Sequence, residues 1–266
     1  MRVRFVLLAA LTLATSACLE TLQPPNGRFG TITVPAFDNG GGSFVMRPEA
    51  AFYDRTDLSY TPATGDTCLL ASYNPTQTVS GSLLTLNAGD FLFTSIGGRT
   101  DTLIPIPNIN IRVYTALRPF GIPYNPGDTL SVTVPGTERG FPASAISVMT
   151  AEAFTHGAIG VPAENIDLPL SWTPATAPGS QMTFSLRYAN SFSTGALNEQ
   201  LFCSFIDDGT ATIDSDFLAG WRNALDGNRT TRAARIRSRE VLVDGRTRLS
   251  IISSYGQPLA SLVSVQ

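Results

Sequence analysis

The chain has 266 residues and a formal net charge of −3, which gives no general support for nucleic-acid binding. Hydrophobic residues make up 43% of the sequence, enough for a buried core, whereas charged residues make up only 15%. Soluble domains usually contain about 25% charged residues. A chain of this length forms one large domain or two domains of ordinary size.

The N-terminal residues have the pattern of a secretory signal peptide. Arg2 and Arg4 precede an apolar stretch over residues 5–13. This stretch is too short to span a bilayer, because a spanning helix needs about 20 apolar residues. Small residues follow it, and the sequence Ala-Thr-Ser-Ala-Cys at 14–18 resembles the lipobox of bacterial lipoproteins. The resemblance implies cleavage after Ala17 and attachment of acyl chains to Cys18.

This resemblance sets the expected location of the protein. Residues 1–17 would be the signal peptide, and residues 18–29, which include Pro24 and Pro25, a lipidated tether. Two or three acyl chains hold a protein on a membrane far better than one chain does. Leu19 follows the cysteine, which in lipoproteins of bacteria with two membranes favours the outer membrane. We therefore expect an exported protein that is anchored to the cell envelope by lipid.

The rest of the sequence has the pattern of many short β-strands. Glycine (23 residues) and proline (18 residues) punctuate runs that alternate apolar with polar residues. Gly-Asp and Asp-Gly turn signals recur between these runs. The predicted strands cover residues 30–37, 67–73, 90–96, 109–117, 128–134, 181–189, 200–207, 235–243 and 248–253. The pattern predicts a mainly β protein with one or two antiparallel β-sandwich domains.

A turn-rich segment over residues 135–142 marks the expected domain boundary. It gives a first β-sandwich domain over residues 30–137 and a second over residues 138–266, while residues 157–169 offer an alternative boundary. In the second half, the sequence Leu-Ser-Trp at 170–172 and the strand after it resemble the patterning of immunoglobulin and fibronectin type III modules. The resemblance implies an immunoglobulin-like second domain.

A single short helix is predicted near residues 215–226. Asp214 or Ser215 can cap its start, and Gly227 can end it. Its apolar residues fall on one stripe, which favours packing against the core of a sandwich, with a partner-binding face as the alternative. The stripe consists of Phe217, Leu218, Trp221, Ala224 and Leu225.

Four nearby aspartates are the candidate metal ligands, because calcium prefers clustered carboxylate oxygens. They are Asp207, Asp208, Asp214 and Asp216. Their spacing does not match the calcium loop of helix–loop–helix proteins. A structural alternative explains them: Asp208 turns a hairpin with Gly209, Asp214 caps the helix, and Asp216 lies favourably in its first turn. We expect these structural roles and no bound metal.

The sequence contains no complete motif for catalysis or cofactor binding. The single histidine, His156, precedes a glycine and is expected at the surface. There is no Gly-x-Ser-x-Gly nucleophile elbow, and the three glycines at 40–42 lack the Gly-Lys-Ser/Thr ending of a phosphate-binding loop. We therefore expect a protein without a cofactor or enzymatic activity. The alternative is a metal-dependent hydrolase whose carboxylates converge from distant parts of the chain.

Two cysteines remain after acylation of Cys18. Cys68 and Cys203 are an even number in an oxidising compartment, which favours a disulfide. They lie in different predicted domains, however, and a disulfide requires Cα atoms within about 7 Å. The alternative is that each thiol is buried separately as a small hydrophobic group. The sequence leaves both arrangements open.

Eight arginines lie between residues 222 and 248, in an otherwise acidic protein. A hairpin with a two-residue turn at Asp244 and Gly245 would place five of them on one face, because side chains alternate along each strand. The five are Arg235, Arg237, Arg239, Arg246 and Arg248. Such a face is either solvated, shielding a sheet edge, or binds anions, since guanidinium groups contact phosphate and carboxylate bidentately.

Three function hypotheses follow from these features. The leading one is a lipid-anchored, non-enzymatic cell-envelope protein with a binding or structural role. The second is a binder of anionic lipid headgroups or acidic glycans through the arginine-lined hairpin. The third is the metal-dependent hydrolase. The expected partners are the membrane, through the lipid anchor, and an envelope protein, headgroup or glycan, but no nucleic acid.

Overall fold

The computed structural model of the protein describes residues 27–40, 42–54, 65–72, 85–90, 92–107, 112–118, 120–189 and 199–256. The predicted signal peptide, Cys18 and most of the predicted tether lie outside these described residues. Within the described residues, no helix is long and apolar enough to cross a membrane.

The described residues form sixteen strands and one α-helix, which confirms the prediction of a mainly β protein with a single short helix. The first nine strands are β1 (Phe29–Asp38), β2 (Phe44–Met46), β3 (Glu49–Tyr53), β4 (Thr67–Ser72), β5 (Leu92–Ile96), β6 (Arg99–Pro107), β7 (Arg112–Ala116), β8 (Ile122–Pro123) and β9 (Thr129–Val134). The others are β10 (Ser144–Met149), β11 (Leu168–Ser171), β12 (Gln181–Tyr188), β13 (Glu199–Ile206), β14 (Thr210–Ile213), β15 (Arg229–Leu242) and β16 (Arg248–Gly256), and the helix is α1 (Ala219–Asn223).

The alternating sequence pattern explains why the outer strands have one buried face. In β9, the side chains of Leu130, Val132 and Val134 are buried, and the residues between them are exposed. Successive side chains of a strand point to opposite faces, so this alternation places one face on a core and one in water. Strand β13, which lies next to the edge strand β4, differs because seven of its eight residues are buried.

Fourteen strands form one mixed sheet. Its order is β10-β9-β5-β6-β7-β3-β1-β16-β15-β12-β13-β4, with β2 and β8 attached beside β1. In its middle, β1 and β16 run parallel, from Phe29 opposite Arg248 to Ala36 opposite Tyr255. Every other described strand pair is antiparallel, including the separate two-stranded sheet of β11 and β14.

The chain builds two hydrophobic cores. The large sheet curls until β10 contacts β15 and β16, and it encloses a first core that includes Ile32, Phe52 and Leu130. In the second core, β11, β14 and the helical segment pack over β12 and β13, with Trp172 and Phe184 in contact. The second core thus has the two-layer packing of a β-sandwich.

The predicted domain ranges 30–137 and 138–266 do not coincide with these two cores. The segment expected to be a linker is the loop between β9 and β10, which pair with each other, and its Phe141 is buried in the first core. Thr137 N–H donates to the carbonyl of Phe141 across this loop. Strand β4 of the first range also pairs with β13 of the second. Turn residues mark hairpin loops and linkers alike, so composition alone misplaced the boundary.

The helical segment follows the predicted cap and stripe but ends earlier. Asp214 Oδ1 accepts a hydrogen bond from the N–H of Asp216, and a 3₁₀ turn over Ser215–Leu218 leads into α1. Of the predicted stripe, Leu218, Trp221 and Ala224 are buried in the second core, whereas Phe217 and Leu225 are exposed. The backbone of Ala224 is extended, so the helix ends before Gly227.

A disulfide joins Cys68 of β4 to Cys203 of β13. The two residues lie directly opposite each other in the antiparallel pair, with their Cα atoms 4.1 Å apart. The bridge is compatible with the fold because β4, although it belongs to the first half of the chain, is the edge strand that pairs with β13. Of the two arrangements that the sequence left open, the structure contains the disulfide.

We expect the Cys68–Cys203 bridge to contribute between about 2 and 5 kcal/mol to the free energy of unfolding, because it closes a long loop in the unfolded chain. Alkylation without reductant should label neither thiol, and urea unfolding should shift to lower urea after reduction. The double variant Cys68→Ser, Cys203→Ser is the control, since reductant should leave its unfolding curve unchanged. Labelling of both thiols in the unreduced protein would contradict the bridge.

Candidate functional site: an aromatic cleft beside two buried arginines

The β15–β16 hairpin has a longer turn than the two-residue turn that the sequence predicted. The N–H of Val243 donates to the carbonyl of Thr247, and the Asp244 carboxylate accepts hydrogen bonds inside the turn, 2.9 Å from Thr247 N. Leu242 is therefore opposite Arg248. This one-residue change of register moves Arg248 to the other face of the hairpin. The prediction that five arginines share one face is wrong.

Arg235, Arg237 and Arg239 do share a face, as predicted, but most of that face is internal. The first two side chains are buried, with Arg235 0% and Arg237 5% exposed, whereas Arg239 is exposed and reaches Ser147 of β10. The curled sheet and the segment after β10 cover this side of β15. For Arg235 and Arg237, the prediction of a solvated face and the alternative prediction of a face that binds external anions are therefore both wrong.

The remaining two arginines of the predicted set lie elsewhere on the surface. Arg246 is exposed in the turn of the hairpin. Arg248 is also exposed and forms a 3.7 Å ion pair with Glu240 on its own face. Exposed pairs of this kind contribute little to stability. These two arginines do not join the buried pair in a common site.

Arg235 forms a buried ion pair with Asp207, which follows the last residue of β13. Arg235 Nε donates to Asp207 Oδ2 at 2.6 Å and Nη2 donates to Oδ1 at 3.1 Å. The same carboxylate accepts hydrogen bonds from Trp172 Nε1 at 2.7 Å and from Ser180 Oγ at 2.6 Å. The side chains of Arg235 and Asp207 are 1% and 2% exposed. Asp207, a candidate metal ligand in the sequence, is instead the counter-ion of a buried arginine.

The other donors of Arg235 bind backbone carbonyls. Nη1 donates to Ala153 O at 2.9 Å and to Glu152 O at 3.4 Å, and Nη2 also donates to Thr173 O. Together with the two bonds to Asp207, each of the five N–H groups of the guanidinium has an acceptor. Burial of a charge is tolerated when it is paired and fully hydrogen-bonded. Arg235 therefore joins β13, β15 and the segments that follow β10 and β11.

Arg237, two residues further along β15, forms a similar buried ion pair, but its Nε has no hydrogen-bond partner. Nη2 donates to Glu152 Oε1 at 3.2 Å, and the guanidinium also donates to the carbonyls of Ala177 and Pro178 at 2.6 and 2.7 Å. The Glu152 carboxylate accepts from the N–H and hydroxyl of Thr176, both at 2.9 Å. Burial raises the pKa of Glu152, but the hydrogen bonds from Thr176 and Ala177 and the charge of Arg237 outweigh it and lower the pKa.

The other candidate metal ligands have the structural roles that were the alternative. Asp208 Oδ1 accepts from Thr210 N in the turn before β14, Asp214 caps the helical segment, and Asp216 lies in its first turn. Nowhere in the described part of the chain do three His, Cys, Asp or Glu residues converge as metal ligands. The four aspartates therefore do not form a common site.

The segment after β10 is held in place along its length. Ala151 N–H donates to Ser253 Oγ at 3.0 Å, the hydroxyls of Thr155 and Thr173 are 2.7 Å apart, and Gly157 N–H donates to Ser171 O at 2.9 Å. With the bonds from Arg235 and Arg237, these contacts fix the path of the segment. The segment thereby holds Phe154 and His156 beside the end of β16.

A cleft of about 370 Å³ lies there, at the junction of the two cores. Its opening lies beside the last residues of β16 and a stretch near the start of β15. The Phe154 ring centroid is 6.0 Å from that of Tyr255 and 6.1 Å from that of His156, and the Arg235 guanidinium lies 5.4 Å from it. The side chains that give the cleft its character are aromatic or charged. They are Phe37, Asp38, Phe154, His156, Arg232 and Tyr255.

The polar groups of the cleft have distinct hydrogen-bonding roles. His156 Nδ1 lies 2.7 Å from Gly157 O, and since a carbonyl only accepts, Nδ1 carries the hydrogen and Nε2 of the neutral ring is an acceptor. Arg232 Nε is buried and has no hydrogen-bond partner. Burial and the nearby charge of Asp38 raise the pKa of the Tyr255 hydroxyl further above its ordinary value of 10.0, so the hydroxyl is a hydrogen-bond donor at neutral pH.

Sequence reasoning placed His156 at the surface, where it is, but did not find the cleft. Its residues come from the ends of β1 and β16, the start of β15 and the segment after β10. The sequence marked His156 only as the single histidine, and Arg232 only as a member of the arginine-rich run. Sequence spacing carries no signal for a cleft assembled in this way.

Known protein families and curated proteins offer no match to this chain. The cleft is therefore interpreted from its own chemistry. Aromatic walls with a few polar groups are typical of sites that bind small molecules. The likeness of the N-terminal residues to lipoproteins, and of the second half to immunoglobulin modules, stays a prediction.

We expect Asp207→Ala to lower the free energy of unfolding by about 3 to 5 kcal/mol, because it leaves the Arg235 guanidinium buried without its counter-ion. Asp208→Ala is the matched control. That neighbouring carboxylate is exposed and makes one hydrogen bond, so its loss should cost about 1 kcal/mol or less. Urea unfolding measures both. Equal effects of the two variants would contradict the role of the ion pair.

We expect Glu152 to make stability depend on pH below its ordinary pKa of 4.5. Its pKa is lower in the folded than in the unfolded protein, so its contribution is present above 4.5 and is lost as the pH falls through the folded value. Glu152→Gln should therefore be less stable than the parent at about pH 6, with the difference shrinking towards about pH 3. Parallel stability curves over this range, measured by urea unfolding, would contradict the assignment.

Proposed function

We propose that the protein is a lipid-anchored, non-enzymatic component of the cell envelope that binds a small molecule in the aromatic cleft. The observation that carries the binding role is the cleft itself. Its volume of about 370 Å³ lies within the range of about 300–1,000 Å³ that is usual for small-molecule sites. Its lining combines aromatic surface with a few hydrogen-bonding groups, which is the composition of such sites.

The hydrogen bonds that hold the segment with Phe154 in place favour binding by a rigid site. Arg235 binds the carbonyl of Ala153, directly before Phe154, and Arg237 binds the carboxylate of Glu152, two residues before Phe154. A site that is already in its binding conformation loses less conformational entropy when the ligand binds. The arginine pairs thus give the cleft the preorganisation that a binding protein needs.

The proposed location rests on the N-terminal sequence and on the disulfide. The lipobox-like residues 14–18 support acylation of Cys18 in a bacterial envelope, with the outer membrane favoured where there are two membranes. The Cys68–Cys203 bridge supports export, because disulfides persist in oxidising compartments. In the cleft, His156 Nδ1 donates to a carbonyl rather than to a carboxylate that would orient a general base, which supports binding over hydrolysis.

One preparation tests both parts of the proposal. The full-length protein is extracted from the cell envelope with mild detergent and examined by native mass spectrometry. We expect the parent to carry acyl chains and to retain a bound small molecule. Cys18→Ser should lose the acyl mass and move from the detergent phase to the aqueous phase, because the lipid anchor is missing.

Phe154→Ala tests the cleft in the same preparation. This variant removes the ring between His156 and Tyr255, so the bound molecule should be lost while the acyl chains remain. Phe217→Ala is the control, because it removes a partly exposed phenylalanine that does not line the cleft. Retention of the same molecule by the Phe154 variant, or its absence from the parent, would contradict the binding role.

A further inference from the structure

Arg232 differs from its neighbours Arg229 and Arg235 on β15. Arg235 is paired with Asp207, and Arg229 binds Asp226 and three backbone carbonyls. Arg232, which lines the cleft, makes no hydrogen bond or ion pair within the described residues. An acidic group of a ligand in the cleft can therefore bind its guanidinium without displacing a partner in the protein.

The charges around the cleft favour an anion at Arg232. Arg47 lies 5.2 Å from the Phe37 ring and Arg235 lies 5.4 Å from the Phe154 ring. Each ring therefore already has a cation over one face, which disfavours a second cation from a ligand. Guanidinium groups bind carboxylate and phosphate through short, charge-assisted hydrogen bonds. The ligand group next to Arg232 should accordingly be an acid.

The other groups of the lining are complementary to a ligand that has hydroxyl donors and an apolar ring face. Asp38 is exposed at the rim, and its carboxylate accepts hydrogen bonds, as does Nε2 of neutral His156. Thr231 adds a hydroxyl to the lining. The half-buried rings of Phe154 and Tyr255 offer flat apolar surface. An acid group, several hydroxyl groups and an apolar C–H face occur together in an acidic sugar.

We infer that the cleft binds an acidic sugar, with its carboxylate or phosphate against Arg232, its hydroxyl groups towards Asp38 and its ring face on Phe154. This inference rests on the proposed binding function and names its ligand class. A cleft of about 370 Å³ accommodates a mono- or disaccharide. The sugar is either free or the acidic residue of a longer glycan.

Isothermal titration calorimetry of the full-length protein in detergent micelles tests the inference, with glucuronic acid, glucose 6-phosphate and uncharged glucose as probes. At least one of the two acids should bind about ten-fold or more tightly than glucose, because only the acids form charge-assisted hydrogen bonds with Arg232. Added salt should weaken binding of the acid and leave binding of glucose unchanged. An oligomer of glucuronic acid distinguishes the sources: tighter binding of the oligomer indicates a glycan, and equal binding indicates a free sugar.

Two variants test the role of Arg232, one at Arg232 itself and one at a control position. Arg232→Gln should remove the preference for the acid but keep the weak binding of glucose, whereas Arg246→Gln, which removes an exposed arginine from the hairpin turn, should keep the preference. Urea unfolding midpoints equal to that of the parent show that both variants fold.

Equal binding of acid and glucose by the parent, no binding of any probe, or an unchanged preference in the Arg232 variant would overturn the acidic sugar as ligand. None of these results would decide the proposed binding function, which is tested by the mass-spectrometric comparison of the parent with Phe154→Ala. Failure of the acidic-sugar inference can therefore be distinguished from failure of the proposed binding function.

Discussion

The buried ion pair between Arg235 and Asp207 is the interaction on which the arrangement of the other parts depends. Two charges removed from water are stable only when their remaining hydrogen-bonding capacity is satisfied. Arg235 therefore requires carbonyls from outside its own sheet, and it takes them from Glu152, Ala153 and Thr173. The carboxylate in turn fixes Trp172, whose ring contacts Phe184 in the second core. One charged pair thus sets the relation between the curled sheet and the layer above β12 and β13.

The cleft is a consequence of this arrangement. The segment after β10 forms no regular strand of its own, so hydrogen bonds from other segments hold it in place. Hydrogen bonds from Arg235 and Arg237 give it a defined path, and that path brings Phe154 next to Tyr255. The stability of the fold and the shape of the cleft therefore depend on the same groups. A change at Asp207 or Glu152 would alter the cleft without touching its lining.

Local features of the fold were readable from the sequence. The alternation in β9, the cap by Asp214 and the turn at Asp208 each depend on neighbouring residues, and the structure contains all three. The buried arginines were misread because alternation tells which side chains share a face but not which face is covered. Three arginines at alternate positions indicate a polar face in a flat sheet, whereas here the curl of the sheet encloses two of them. The cleft, built from distant segments, had no local signature at all.

The parallel pair of β1 and β16 has a consequence for how the chain reaches its fold. These are the first and last strands of the described residues, yet they lie side by side in the middle of the large sheet. Until β16 has been made, one edge of β1 and one edge of β15 lack their partner. Exposed strand edges pair readily with other chains, and parallel pairing between distant segments forms slowly. A growing chain, or one truncated before β16, therefore has two open edges in the centre of the sheet and needs protection from aggregation until β16 has been synthesised.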